Sequence, residues 1–380
     1  AQACHHDNFD NWDSKHNPWN AVRVGPQKNI VRLWQEAARA RGLYFGVTEH
    51  LGATFNWFAV NKGCDKTGRY AGVPYDGNDP EYESLYLPNR GETRECWYTA
   101  NEWWHEHWFK RILDLIDQHK PDLLYSDGPL PFNIPGKGLT RPEAGLAIVA
   151  HLYNTSIREH GENRAVYNQK DTNPDVFRIG VLDIERGGMQ ECPDHTWQTD
   201  TCVGGWFYNF QHKYKTPKHV IEMLIDIVSK NGNLLLNIPQ RPDGSHDEEC
   251  LYLLDEMAAW IAVNGEGIYG TRPWRVCEEG PTRSNESGAF KESELTWTSK
   301  DFRFTSKNGD VYAFIMQWPE DGLVFIRSLA NGPNPPAGRV SLLGHNEPLE
   351  FTQNEYGLGV RLPERAPSRY MCCLKVEFES

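Results

Sequence analysis

The segment that most restricts the fold is Pro121-Asp122-Leu123-Leu124-Tyr125-Ser126-Asp127-Gly128. An amphipathic run rich in Trp, Leu and Ile, from Trp103 to His119, precedes it. Pro121 ends that helix because proline lacks an N–H and clashes with the preceding turn. Leu123-Leu124-Tyr125 then reads as a short buried strand, with Asp127 at its end ahead of a Gly128-Pro129 turn. Helix, buried strand, carboxylate and loop are the order in which a parallel α/β barrel brings a reactive group to its C-terminal face. An Asp that merely caps the turn fits the same pattern.

The same grammar recurs along the chain. Ile30, Leu33, Trp34, Ala37 and Ala38 share one face of a helix expected over 27–41. Leu43–Val47 is expected as a strand delivering Glu49 and His50, with Trp57 and Phe58 following. Composition makes Gly63–Gly91 a long loop. Thr140 and Glu143 have capping-box spacing for a helix over 141–160. Arg164–Lys170 reads as the next strand with a polar exit, and Ile179–Ile184 leads to a second carboxylate, Glu185, beside Gly187-Gly188. Helices at Pro217–Lys230 and Asp247–Val263 flank a buried strand, Asn233–Ile238. From about Ile268, short alternating runs separated by Gly, Pro and Asn predict an antiparallel β-domain. The expected division is an α/β barrel over 1–267 and a β-sandwich over 268–380.

Bulk properties narrow the function. A formal net charge of −13 disfavours a nucleic-acid backbone or an anionic membrane as partner. No apolar stretch has membrane-spanning length, and no signal peptide opens the sequence. The 14 Trp, 16 Tyr and 16 Phe suit a protein that stacks sugar rings, and a large core consumes them too. Nine cysteines without a CxxC pair offer neither a zinc motif nor a disulfide framework. Adjacent His5 and His6 point to opposite faces of a strand, and no third His or Cys follows at ligand spacing. They are expected to donate hydrogen bonds to substrate hydroxyls, with no metal and no cofactor. A metal-dependent hydrolase using His5, His6 and Asp7 is the alternative.

Two carboxylates at different strand ends, in a His-rich and aromatic surround, point to glycoside hydrolysis. One is an ionised nucleophile or base; the other donates a proton and needs a raised pKa. A surface ion pair with Arg186 is the simpler explanation of Glu185.

The run His5-His6-Asp7-Asn8-Phe9-Asp10-Asn11-Trp12-Asp13-Ser14-Lys15, with Trp19-Asn20 behind it, resembles a signature of the α-L-fucosidases, glycoside hydrolase family 29. Gly42–Val47, Pro121–Gly128, Trp197–Gly204, Asn231–Gly244 and Trp260–Trp274 resemble that family in the same order. The resemblance implies a (β/α)8-like TIM barrel followed by a C-terminal antiparallel β-sandwich. It implies an exo-acting, retaining α-L-fucosidase acting on a fucosylated oligosaccharide or glycoconjugate. Asp127 would be the nucleophile and Glu185 the acid/base, with Glu49 and Glu191 as rivals, the reacting carboxyl groups lying about 5–5.5 Å apart. His5 and His6 match histidines that hold fucose hydroxyls. Trp12, Glu49, His50, Trp57, Tyr125, Lys170, Trp206 and Phe207 would complete the substrate site, the last two against the apolar side of fucose.

Three departures stand out. About two barrel strands that normally precede the His-His motif are not seen, so the first strands are expected to be missing. Glu49-His50 replaces tyrosines of some members, and Gln198 stands where some have Glu. A fucose-binding pseudoenzyme is the non-catalytic alternative. A secreted, periplasmic or lysosome-like location follows from the resemblance alone.

Overall fold

The structure is a computed structural model that describes residues 1–88, 97–283, 287–292 and 294–379. Cys96 and residues 89–91 of the expected loop lie outside the described residues. The chain divides into two compact units, Ala1–Leu182 and Asp183–Ser380.

In the first unit, strands β1 (Gln2–Cys4), β2 (Gly46–Glu49), β3 (Leu123–Ser126), β4 (Val166–Gln169) and the start of β5 (Val181–Asp183) lie side by side in chain order. Every adjacent pair is parallel. Helices α1 (Ile30–Arg39), α2 (Glu102–His119) and α3 (Glu143–His160) provide the crossovers that parallel pairing requires. The long helix α2 buries Trp104, Trp108, Ile112 and Leu115 against the sheet, an apolar stripe at helical spacing. Its ends are well made: Asn101 accepts from the Trp104 N–H, and Lys120 turns left-handed at φ 43° before Pro121.

Three local expectations need correction. The strand before Glu49 begins at Gly46, and Leu43 and Tyr44 are exposed, because the Phe45 N–H is taken by the Asp122 side chain and not by a ladder. Helix α1 turns Val31 inward and leaves Leu33 and Trp34 half exposed; Gln35 on its inner side holds the His119 carbonyl at 2.6 Å. A polar staple, not the apolar stripe, sets that helix's rotation. The expected capping box at Thr140 is absent: Thr140 pairs with Asn133 in a two-residue ladder, and α3 starts behind Pro142 without a side-chain cap.

In the second unit, β6 (Trp197–Cys202) and β7 (Gly232–Asn237) form a parallel pair joined through α4 (Pro217–Ser229). Strand β7 was expected to be buried but is largely half-exposed, with Leu235 41% accessible. Its one ladder partner among the described residues is β6. Helix α5 (Glu248–Asn264), capped by Asp247, ends the strand-then-helix alternation.

Antiparallel structure follows. One sheet has the order β8 (Arg272–Glu279), β9 (Phe302–Lys307), β10 (Asp310–Ile315), β15 (Cys372–Phe378), β12 (Ala337–Leu342). The other has β11 (Leu323–Ile326), β14 (Gly357–Arg361) and β13 (Phe351–Asn354). Strand β10 shows why its alternation is apolar on both faces. Val311, Ala313 and Ile315 join the sandwich core with Val324, Ile326 and Val360, whereas Tyr312 and Phe314 pack with Ile221, Ile225 and Trp260 of α4 and α5.

Candidate active site

The site is built by register. Cys4 pairs with Glu49, Glu49 with Ser126, and Tyr125 with Asn168, so the carboxyl ends of four adjacent strands stand level. The next residues are His5 after β1, His50 after β2, Asp127 after β3 and Lys170 after β4. Parallel strands fix this convergence through backbone hydrogen bonds alone, which continue past the strand ends. The Asp127 N–H donates to the Glu49 carbonyl at 2.9 Å, and the Lys170 N–H to that of Gly128 at 2.7 Å. Gly128 itself is dictated by space. Its φ is +147°, and a Cβ there would lie 2.7 Å from the Tyr98 hydroxyl.

Asp127 is the centre, its side chain about one-third exposed. Lys170 Nζ donates to its Oδ1 at 2.8 Å, and the Tyr125 hydroxyl donates to the same oxygen at 3.3 Å. His5 Nε2 and His50 Nδ1 lie 3.9 and 3.7 Å from Oδ2, and 3.3 Å from each other. Burial pushes the Asp127 carboxyl up, but Lys170, His50 and His5 together outweigh it and hold the group below the usual aspartate range. Asp127 is therefore an anion near neutral pH. Burial drives the imidazoles the other way, His50 to about 4 and His6 to about 3, and it lowers His5 as well. All three are neutral near pH 7, so Lys170 supplies the positive charge on Asp127.

An aromatic wall rises beside the carboxylate. His6 packs on Trp57 at 3.9 Å between ring centroids, and Trp97 stacks on both Trp57 and His50 at 5.8 Å. Trp57 and Trp97 are 39% and 56% accessible, so their faces are available to a sugar. The loop carrying His5 and His6 is anchored from below by a sealed ion pair. Arg111 of α2 holds Asp10 through two hydrogen bonds, at 3.1 and 2.5 Å, and Asn8 through a third. Both charged side chains are wholly buried.

Not every expected residue joins the cluster. Trp12 is fully buried and its indole N–H donates to Asp114 at 3.1 Å, which makes it core. The Glu49 carboxyl is also buried, accepting from the Leu51 N–H and the Trp108 indole, and burial raises its pKa. It supports the strand end and is not a surface ligand. Asp7 accepts from the Phe9 N–H within its own loop. The third imidazole near His5 and His6 is His50, from the neighbouring strand, which linear spacing could not reveal.

Glu185, Glu191, Trp206 and Phe207 belong to the second unit. Glu185 sits half-buried in the turn after β5, where its carbonyl accepts from the Phe290 N–H at 2.8 Å. Its neighbour Arg186 reaches Glu292 through Nε at 3.3 Å. Trp206 and Phe207 are exposed in the loop after β6. Sequence reasoning missed Trp97, Tyr98 and Arg111. The adjacent pair Trp97-Tyr98 at the close of a loop, and an arginine on the apolar stripe of α2, were the available signals.

A family model for alpha-L-fucosidase matches residues 1–266, and one for the alpha-L-fucosidase C-terminal domain matches residues 296–377. The chain belongs to the alpha-L-fucosidase family. Among relatives in that family, rat tissue alpha-L-fucosidase is 27% identical over 97% of this chain and 69% of its own length. Human plasma alpha-L-fucosidase is 25% identical over 97% of this chain and 69% of its own length. The fold agrees with solved alpha-L-fucosidases. Thermotoga maritima alpha-fucosidase in complex with fucose superposes with a TM-score of 0.67 at 21% identity, covering 99% of this chain and 74% of that one. A Bacteroides thetaiotaomicron member trapped as a covalent intermediate gives 0.66 at 13% identity, covering 100% and 78%. The chain is thus a glycoside hydrolase of the alpha-L-fucosidase type, with a TIM-like barrel and a C-terminal β-sandwich. No helix among the described residues is long and apolar enough to cross a membrane.

Proposed function

We propose that this alpha-L-fucosidase is exo-acting and retaining, with Asp127 as nucleophile and Glu185 as acid/base. The observation that carries the reading is the ionised Asp127, held by Lys170 and Tyr125 at a strand end beside neutral imidazoles and exposed tryptophans. The Asp127 carboxylate attacks the anomeric carbon of a terminal α-L-fucose while Glu185 gives its proton to the departing glycosidic oxygen. Glu185, now a carboxylate, takes a proton from water as that water attacks the same carbon and releases Asp127. His5, His6 and His50 hold the sugar hydroxyls and Trp57 and Trp97 pack against its apolar side, to which Trp206 and Phe207 are also assigned. The family-model spans support residues 1–267 as the catalytic part and 268–380 as the sandwich.

The test is turnover of an aryl α-L-fucoside, with 2-fluoro-fucosyl fluoride used to trap the intermediate. Asp127→Gly should lower kcat on the order of 10³-fold or more, and the trapped mass should map to the peptide containing Asp127. Glu185→Ala should regain rate with azide. Label on another residue, or normal turnover by Asp127→Gly, refutes the assignment. Fucose binding without any turnover by the unaltered chain would make it a pseudoenzyme.

A further inference from the structure

We infer that His5, His6, His50 and Asp127 form a binding site for a divalent transition-metal ion such as Zn²⁺, and that the bound ion excludes the sugar. The inference builds on the active-site reading above, but it adds an inhibitor and not a cofactor. Each of the three imidazoles offers a nitrogen, and these atoms all lie within 4.8 Å of one another. Two nitrogens bound to tetrahedral zinc at about 2.0–2.1 Å stand about 3.3–3.4 Å apart. His5 Nε2 and His50 Nδ1 already have that spacing, at 3.3 Å.

Asp127 Oδ2, at 3.7 and 3.9 Å from the same nitrogens, is slightly wide of such an edge. Side-chain rotations of about half an ångström close the gap to that zinc geometry. Lys170 opposes a cation here, but its ammonium is bonded to the other carboxylate oxygen, Oδ1. A second observation points to a ligand. His6 Nδ1 is buried without a hydrogen-bond partner among the described residues, a state that costs free energy unless something pairs the atom.

Donor chemistry decides the metal class. Neutral imidazoles with one carboxylate suit zinc, copper or nickel, whereas magnesium and calcium prefer oxygen ligands. An ion in this position ties up the imidazoles that hold hydroxyls and the oxygen that attacks the anomeric carbon. The enzyme then needs no metal for turnover and is blocked by one.

The experiment uses the full chain, freed of metal with a chelator and then titrated with ZnCl₂ by calorimetry and with CoCl₂ by visible absorption. One equivalent of Zn²⁺ should bind, Co²⁺ should show tetrahedral d–d bands, and L-fucose should displace both. Zn²⁺ should raise the KM for an aryl α-L-fucoside and leave kcat unchanged. His50→Ala should weaken Zn²⁺ binding by about 100-fold or more, as the loss of a ligand requires. Cys64→Ser, which removes an exposed thiol, should bind Zn²⁺ like the parent. Absence of binding, binding indifferent to L-fucose, or an undiminished site in His50→Ala overturns the inference. Displacement by fucose is read on the unaltered chain, so it stands even where a variant misfolds. A chain that binds zinc but never turns over refutes the catalytic reading and leaves this one standing.

Discussion

At the scale of single residues, Lys170 decides the charge on Asp127. Its ammonium is the strongest influence opposing burial, and it touches the carboxylate at 2.8 Å. Replacing it by methionine keeps the length and removes the charge, so protonated Asp127 becomes easier to form. The acidic limb of the kcat/KM profile should move to higher pH in Lys170→Met, because that limb reports the free enzyme's essential base. A limb that stays in place would mean that Asp127 is not the titrating group or that Lys170 does not control it. Asp127 stood out in the linear sequence as a carboxylate closing the strand-like run Leu123–Ser126, whereas Lys170 was suggested by the family resemblance and not by its local pattern. Trp12 was misjudged for an equally physical reason. Within a polar loop motif its burial depends on Asp114, 102 positions away, which no local pattern announces.

At the scale of elements, the histidine loop is placed by β1 but held by α2. Arg111 and Asp10 are both fully buried, and burial raises the Asp10 pKa even with the guanidinium beside it. Removing one partner of such a pair strands the other charge, at a cost of about 3–5 kcal/mol. Arg111→Met should lose stability of that order in urea unfolding, and it should raise KM for the aryl fucoside because His5 and His6 lose their support. Unchanged KM in a folded variant would show that the loop is held by other contacts. The strand-and-helix order could be read from the sequence because burial on both faces makes parallel strands continuous apolar runs. The rotation of α1 could not. Its apolar stripe suggested Leu33 and Trp34, and the deciding contact is Gln35 with His119, a pairing between helices distant in the chain.

At the scale of the whole molecule, histidines make the fold acid-sensitive. His6 is lowered to about 3, and His50, His107 and His119 to about 4, each chiefly by burial. An unfolded chain protonates these rings near 6.5, so below that pH it binds more protons than the native state. Stability from this source is complete above pH 6.5 and declines as pH falls towards 4, by up to about 1.4 kcal/mol per pH unit for each ring. The raised carboxyls of Glu49 and Asp10 act in the opposite direction, since the native state holds their protons more firmly. The thermal midpoint should therefore fall between pH 6.5 and 4, and a flat midpoint there would contradict buried neutral imidazoles. Linear sequence could not disclose this sensitivity, because it depends on the surroundings of each ring.

The sealed pair beneath the histidine loop bears on behaviour in brine. Mobile ions weaken attractions between charges they can surround, and they reach Lys110–Glu106 or Lys120–Glu159, whose side chains are all substantially exposed. They cannot reach Arg111 and Asp10, which have no accessible surface. Salt also quietens the mutual repulsion of a chain carrying −13. High ionic strength should leave the histidine loop in place while it erodes ornamental surface pairing, which can be followed as an affinity for L-fucose that stays constant as sodium chloride is raised.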